Sequence, residues 1–143
     1  MIEMDLLPPR WADVSDEVTE ILAAISKKSA KLDKLHQKHV LPGFDDKSAE
    51  EGEIERLTTE ITTQFHQCGN LVKKMERMTK SARITAAEEA MCRNIRISLA
   101  TKVQEASTAF RKKQAAYLKS IFMASRQFYR AILLITNRQN FGK

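Results

Sequence analysis

Apolar residues recur at helical spacing in three separate stretches of this chain. Within each stretch the steps are mostly three, four or seven residues, which places the apolar side chains on one face of a helix. The first stripe consists of Val14, Val18, Ile21, Ile25, Leu32 and Leu35. The second consists of Ile54, Leu57, Ile61, Phe65, Cys68, Leu71 or Val72, Met75 and Met78. The third consists of Met91 (with Cys92), Ile95, Leu99, Val103, Ala106, Phe110 and Tyr117, with Ile121 as a continuation. The pattern predicts three long amphipathic helices.

Capping and breaking residues predict where the first helix begins and ends. Asp13 or Ser15 can accept a hydrogen bond from the first turn, so either residue can start the helix. The helix should end near Val40, because Pro42 lacks a backbone N–H and disfavours helical angles in the residue before it. Gly43 then supplies a flexible turn.

The second and third helices each begin with the spacing of a capping box, a Ser or Thr followed three residues later by Glu. Ser48 and Glu51 form the first such pair, and Thr85 and Glu88 form the second. Gly69 lies inside the second stripe and weakens the helix locally by about 1 kcal/mol relative to Ala. We expect this glycine to allow close approach of a neighbouring helix.

Three helices of about 25 to 35 residues with short connections are too long for compact orthogonal packing. They predict an all-α fold, an antiparallel up-down-up three-helix bundle whose third helix can continue past Ser120. We assign residues 1–12 to an extended N-terminal segment, 13–120 to the bundle and 121–143 to an atypical apolar and basic C-terminal extension. Trp11 either packs across the end of the bundle or forms a partner hot spot, and we favour packing.

The extension allows two interpretations. In one, the third helix continues, and its apolar side chains cover an apolar surface such as a second copy of the chain. The side chains concerned are Phe122, Phe128, Ile132 and Ile135. In the other, the segment frays. We favour the first, because residues 121–135 are too apolar to remain comfortably solvated.

The net charge of +6 is unevenly distributed along the chain. Residues 1–60 carry 14 acidic and 8 basic side chains, whereas residues 61–143 carry 4 acidic and 16 basic ones. A basic half suits an acidic protein, an anionic lipid surface or nucleic acid, although a solvated helix face accounts for most such patterns. The basic residues of the third helix are spread around it, and few aromatic residues accompany them, so nucleic-acid binding is disfavoured. A weak anionic membrane contact remains, centred on 111–113.

Catalytic and metal-binding patterns are missing from the sequence. Cys68 and Cys92 form no CxxC motif, and we expect both to be buried thiols. His36 and His39 lack the further ligands that a metal needs, so a role in capping and packing at a helix end is favoured. No glycine-rich phosphate loop is present. The sequence therefore predicts no enzyme, cofactor or metal site. It also shows neither a signal peptide nor a membrane-spanning run, which predicts a soluble, cytosolic chain.

Five short motifs resemble those of one protein family. They are LPPRW (7–11), LHQKH (35–39), FDD (44–46), EITTQFHQC (60–68) and FRKKQAAYLKS (110–120). In this order and spacing they resemble the N-terminal regulatory (Habc) domain of the syntaxins of the trans-Golgi network and endosomes, Qa-SNAREs of the syntaxin-sixteen and Tlg type. The resemblance covers roughly residues 7–120.

The resemblance implies a regulatory domain of a t-SNARE in vesicle fusion, acting at the cytoplasmic face of the trans-Golgi network and endosomes. Such a domain folds onto a SNARE motif, in cis or in trans, between its second and third helices, and contributes to binding of an SM (Sec/Munc) protein. This sequence departs from the family in two respects: no SNARE motif follows, and only MIEMDL precedes Leu7, which leaves the N-terminal SM-binding peptide in doubt.

If a groove forms between the second and third helices, the residues just off the core stripes are the candidates for partner binding. They are Lys73, Arg77, Arg93, Arg96, Ile97 and Gln104. Each also fits the role of a solvated helix residue. A generic helical-bundle interaction or dimerisation module, and a basic module that binds membrane surfaces, are the alternatives to the regulatory role.

Overall fold

The computed structural model describes residues 10–40, 47–81 and 83–141. These residues form three helices: α1 (Arg10–Val40), α2 (Ser48–Ser81) and α3 (Ala86–Phe141). Within these ranges there is no β-strand. The fold is therefore the all-α three-helix bundle that the apolar stripes predicted. Nowhere in the described ranges does a helix combine the length and apolarity needed to cross a bilayer.

Cross-helix contacts give the directions of the three helices. Lys28 on α1 pairs with Glu60 at 3.3 Å and Lys38 pairs with Glu50 at 3.1 Å, so residue numbers rise along α1 as they fall along α2. The two helices are antiparallel. On the other side of α1, Lys113 of α3 donates a hydrogen bond to the Asp33 carboxylate at 2.8 Å. Because His36, further along α1, meets Tyr117, α1 and α3 are parallel.

The core consists of the predicted stripes without Met91, together with Trp11 and the buried His36. Trp11 is 7% exposed and belongs to the core, which confirms that it packs on the bundle. At the start of α3, Cys92 is buried at 1% exposure whereas Met91 is 56% exposed, so placing Met91 on the stripe was wrong. His36 is a buried member of α1 that the apolar pattern could not identify. Among the described residues, the largest fully buried side chains are Ile61, Met75, Val18, Cys68 and Cys92.

The helix starts agree with the predictions only in part. α1 begins at Arg10, so residues 10–12 are helical rather than extended. α3 is capped as predicted: the amide of Glu88 donates to Thr85 Oγ1 at 3.1 Å, and that of Glu89 donates to the Thr85 carbonyl at 2.9 Å. The turn predicted at Pro42 and Gly43 lies outside the described residues.

The third helix does not stop at Ser120. α3 is 56 residues long and ends at Phe141, which confirms that the helix continues into the extension. At about 1.5 Å per residue it is roughly 80 Å long. Near the end of α1, the ring of Tyr117 in α3 stacks on the imidazole of His36. Between Leu118 and Ile135, nine large apolar side chains of α3 are exposed rather than packed on the bundle, whereas Ile121 is half-buried.

Candidate partner-binding groove

α3 contacts α1 and α2 about equally, and less extensively than those two helices contact each other, and the surface between α2 and α3 is concave. A surface groove of about 420 Å³ lies there. α2 contributes Phe65, His66, Gly69, Val72 and Lys73 to its lining. α3 contributes Ala100, Val103, Gln104, Ser107 and Arg111. The family resemblance implied a partner-binding groove between these same two helices.

Gly69 widens the groove because it has no side chain. A Cβ atom added at this position would have no neighbouring atom within 4 Å. The prediction that Gly69 allows close approach of another helix was therefore wrong. The glycine instead leaves space on the surface of α2, facing the groove that it lines together with Val103. A partner side chain could occupy this space without displacing any atom of the bundle.

The floor of the groove is apolar and its rim is basic. Phe65, Val72 and Val103 are half-buried, so each contributes to the core with one side and to the groove with the other. Phe65 also contacts Phe110 of the core, with ring centroids 5.8 Å apart and planes tilted by 46°, which fixes its position. Lys73 and Arg111 are exposed at the edge. An apolar floor with a charged rim suits the apolar face of an amphipathic helix.

Two of the six candidate residues line the groove directly. Lys73 of α2 and Gln104 of α3 are both exposed. They lie on opposite sides of the apolar floor, where one can offer a positive charge and the other both a donor and an acceptor. The structure therefore brings this pair together across the space that Gly69 leaves open.

Three further candidates, Arg77, Arg93 and Ile97, lie on the groove-facing sides of α2 and α3 but beyond the groove lining. Arg93, Ile97, Ala100 and Gln104 are four, three and four residues apart, so they share one stripe of α3. Ile97 is 55% exposed, and Arg93 forms an i,i+4 ion pair with Glu89 at 3.6 Å. On α2, Arg77 is exposed and lies one turn beyond the groove residue Lys73. These residues extend the groove faces toward the end of α2 and the start of α3.

Arg96 differs from the other candidates because it is half-buried. Its charge favours the thiolate of Cys92, but burial has the larger effect and raises the pKa of that thiol. Burial likewise raises the pKa of Cys68. Both cysteines are free and buried, so they pack as small apolar side chains and are poor nucleophiles.

The sequence interpretation missed part of the lining. Ser107 and Arg111 continue the α3 stripe of Ala100 and Gln104 in steps of three and four residues. Extending the spacing toward the C-terminus would have identified them. His66 also lies in the lining, one turn before Gly69 on the groove face of α2, although it belongs to no apolar stripe.

The two histidines of α1 lie at the other end of the bundle. His39 Nδ1 is 3.6 Å from Glu50 Oε2, and its Nε2 is 3.4 Å from Glu51 Oε1. His36 instead stacks on the ring of Tyr117. Burial lowers the pKa of His36, an effect that the Asp33 carboxylate partly offsets and the nearby His39 reinforces. Among the described residues, no three His, Cys, Asp or Glu side chains are grouped as a metal would require.

Comparison with known proteins identifies several relatives. The chain is 43% identical over 121 residues to the t-SNARE affecting a late Golgi compartment protein 2 of Schizosaccharomyces pombe, a match over 85% of this chain and 40% of that protein. It is 39% identical over 113 residues to human Syntaxin-16, a match over 78% of this chain and 34% of that protein. The chain thus spans well under half the length of these curated relatives. No protein-family model matches it.

Two solved structures are also similar. Both are described as the SM protein Vps45 in complex with the Qa SNARE Tlg2. In the first, which contains residues 1–310 of Tlg2, the match has a TM-score of 0.68 and 47% sequence identity, over 98% of this chain and 79% of the solved one. In the second, the TM-score is 0.69 and the identity 48%, over 92% of this chain and 74% of the solved one.

Proposed function

Because the chain belongs to the Tlg2 and syntaxin-16 type of Qa-SNAREs, we propose that it is the regulatory N-terminal domain of a t-SNARE. The domain controls SNARE assembly in vesicle fusion at the trans-Golgi network and endosomes, on their cytoplasmic face. It does so by binding a SNARE motif in the α2–α3 groove and by contributing to the binding of an SM protein. The role is non-catalytic. The regulatory domain comprises residues 10–120, and the extension begins at residue 121.

The observation that carries this proposal is the shape and chemistry of the groove. A SNARE motif is an amphipathic helix, and such a helix binds by placing its apolar face in an apolar groove. Phe65, Val72 and Val103 provide that apolar floor, and Gly69 leaves room above it. The volume of about 420 Å³ accommodates several side chains of a bound helix.

The charges at the rim favour a bound helix that carries acidic residues beside its apolar face. Lys73 and Arg111 flank the floor, so acidic residues on the incoming helix would be attracted to both edges. We assign direct contacts to Lys73 and Gln104, the two candidates in the lining. The remaining candidates extend this surface by one or two helical turns. They are Arg77, Arg93, Arg96 and Ile97.

The SM partner is supported by the solved relatives. The Tlg2 chains that this chain resembles were determined in complex with the SM protein Vps45. We infer that an SM protein of the same kind is the partner here. A SNARE motif seated between α2 and α3 would present such a protein with a composite surface formed by both the bundle and the motif.

A calorimetric titration of this chain with its SM protein, alone and with a SNARE-motif peptide added in trans, tests the proposal. Binding that appears or tightens with the peptide supports a regulatory domain whose groove presents that helix. If neither the peptide nor the SM protein binds, alone or together, the proposed function is wrong.

A charge-reversal variant tests the site assignment separately. Arg93→Glu/Arg96→Glu should weaken binding of the SNARE-motif peptide and the SM protein while leaving the melting temperature of the chain nearly unchanged. The matched control is Lys27→Glu/Lys34→Glu, which makes the same change in net charge at exposed positions of α1. Equal binding by the two double variants would remove Arg93 and Arg96 from the site without affecting the groove itself.

A further inference from the structure

The last part of α3, from Leu118 through the extension, exposes an unusual amount of apolar surface. Between residues 118 and 135, nine large apolar side chains are 43–69% exposed. They are Leu118, Phe122, Met123, Phe128, Tyr129, Ile132, Leu133, Leu134 and Ile135. Together they expose on the order of 1,000 Å², well above the patches of a few hundred Å² usual on soluble monomers. A surface of this size indicates a binding partner.

The apolar side chains are not evenly distributed around the helix. One stripe continues the core face of α3, and a second lies next to it, both with steps of three, four or seven residues. The first consists of Ile121, Phe128, Ile132 and Ile135. The second consists of Leu118, Phe122, Tyr129 and Leu133. Met123 and Leu134 fall outside both stripes, but the two stripes together form one wide apolar face.

A basic stripe borders this apolar face. Lys112, Lys119, Arg126 and Arg130 are separated by seven, seven and four residues, so they lie along one line of the helix, and all four are exposed. Glu105 is the last acidic residue of the sequence, and eight basic residues follow it. The extension therefore combines an apolar face with an uninterrupted positive charge.

The charge identifies the class of partner. In a dimer formed through this face, two basic stripes without intervening carboxylates would be brought close together, and their repulsion opposes association. An anionic bilayer surface instead attracts every one of these cations while its hydrocarbon boundary accepts the apolar side chains. A helix with this pattern lies in the plane of the membrane interface.

We propose that the α3 extension is a peripheral membrane anchor that binds anionic bilayer surfaces. Phe122, Phe128 and Ile132 enter the boundary between headgroups and acyl chains, and Arg126 and Arg130 contact the lipid phosphates from its edge. The anchor begins after the Tyr117 stack, so the α2–α3 groove stays accessible while the extension is bound. This inference does not depend on the proposed function.

Flotation of the full chain with vesicles tests the proposal. Vesicles of phosphatidylcholine containing about a third phosphatidylserine should retain the protein at low salt, and pure phosphatidylcholine vesicles should retain much less. Raising the salt to about 0.5 M should release most of the bound protein, because charges are then screened within a few Å. Retention that is equal on both kinds of vesicle, or absent from both, would overturn the proposal.

Two variants and a matched control locate the binding surface. Lys119→Glu/Arg126→Glu/Arg130→Glu should weaken binding to the anionic vesicles by about a hundredfold or more. Phe128→Gln/Ile132→Gln should weaken it at least tenfold. The control Lys27→Glu/Lys34→Glu/Lys74→Glu makes the same change in net charge on exposed residues of the bundle and should bind within a factor of a few of the wild type.

Sedimentation and melting experiments separate membrane binding from self-association and from loss of the fold. All variants should retain the wild-type melting temperature, since the substituted residues are exposed. Velocity sedimentation should show a monomer at micromolar concentration. A dimer that Phe128→Gln/Ile132→Gln dissociates, in a chain that the anionic vesicles fail to retain, would show that the occupant is a second copy and that the proposal is wrong.

Discussion

The imidazole of His36 lies flat against the ring of Tyr117, with ring centroids 3.7 Å apart and an angle of 9° between the planes. The His36 side chain is buried, and within the described residues its Nε2 atom has no hydrogen-bond partner. The stack joins the end of α1 to α3, just before the extension leaves the bundle. A charge on this ring would therefore weaken the bundle at that junction.

We expect His36 to make the bundle less stable in mild acid. Burial lowers the pKa of His36 below its ordinary value of 6.5, with Asp33 opposing and His39 reinforcing the shift. The unfolded chain then binds this proton more readily than the folded one. Stability is complete above about pH 6.5 and falls as the pH decreases from there toward the pKa of the folded state. Urea unfolding at several values between about pH 7.5 and 5 measures the effect.

The variant His36→Phe should remove this step. Phenylalanine retains the stack on Tyr117 and eliminates a buried nitrogen without a partner, so the variant should be as stable as the wild type or more so near pH 7. The control His66→Gln changes an exposed histidine and should keep the wild-type pH dependence. An unchanged slope between about pH 6.5 and 5 in His36→Phe would assign the step to other groups.

Ile61 should be among the most sensitive positions of the core. Its side chain is completely buried in α2, so Ile61→Asp would place a carboxylate without a partner in an apolar environment. We expect this variant to unfold the bundle, and the milder Ile61→Ala to cost about 2–5 kcal/mol. The control Ile97→Asp changes an isoleucine that is 55% exposed and should leave the melting temperature within a few degrees of the wild type. Thermal unfolding followed by circular dichroism compares them, and a folded Ile61→Asp would contradict the assigned core face of α2.

The predictable part of this fold follows from the period of the apolar residues. Three stripes at helical spacing require three helices, and their lengths leave few arrangements besides an up-down-up bundle. Ile61 and Val18 were placed correctly because burial of an aliphatic side chain in an amphipathic helix depends on spacing alone. The cap at Thr85 was also predictable, because its hydroxyl accepts a hydrogen bond from the amide of Glu88, only three residues away.

The groove was harder to predict because it depends on where two helices separate. Gly69 has the same local signature whether a neighbouring helix approaches it or leaves space beside it. Arg93 and Lys73 both lie off the core stripes, but only Lys73 borders the groove, and this distinction requires the axial offset of α3 against α2. The burial of His36 likewise depends on Tyr117, which is distant in sequence.

Glu53 should contribute to stability at neutral pH and lose that contribution in strong acid. Arg56 and Lys31 donate hydrogen bonds to its carboxylate and lower its pKa from 4.5 to about 2. Because the folded pKa lies below the unfolded one, the stabilisation is present above pH 4.5 and is lost as the pH falls toward 2. Glu53→Gln should flatten acid unfolding in this window, whereas Glu55→Gln, at an exposed position, should not. If the stability of the two variants changed in the same way with falling pH, the assignment of this effect to Glu53 would be wrong.

The space beside Gly69 offers a way to separate the groove from the stability of the bundle. Neither Gly69 nor Gly52 has an atom within 4 Å of an added Cβ, and both lie inside α2. Replacing either residue by leucine should raise helix stability by roughly 0.5–1 kcal/mol, because glycine loses more backbone entropy on folding. Thermal unfolding should therefore show both variants to be at least as stable as the wild type.

Only the change at Gly69 should affect binding. In Gly69→Leu the new side chain would occupy the open space between Phe65 and Val103, where we propose that the partner helix inserts an apolar side chain. We expect at least a tenfold loss of affinity for the SNARE-motif peptide by calorimetry, since about 1.4 kcal/mol is a factor of ten. Gly52→Leu, which lies outside the groove lining, should bind like the wild type. Wild-type affinity in a stable Gly69→Leu variant would show that the helix binds elsewhere, because a leucine there leaves no room for a second side chain.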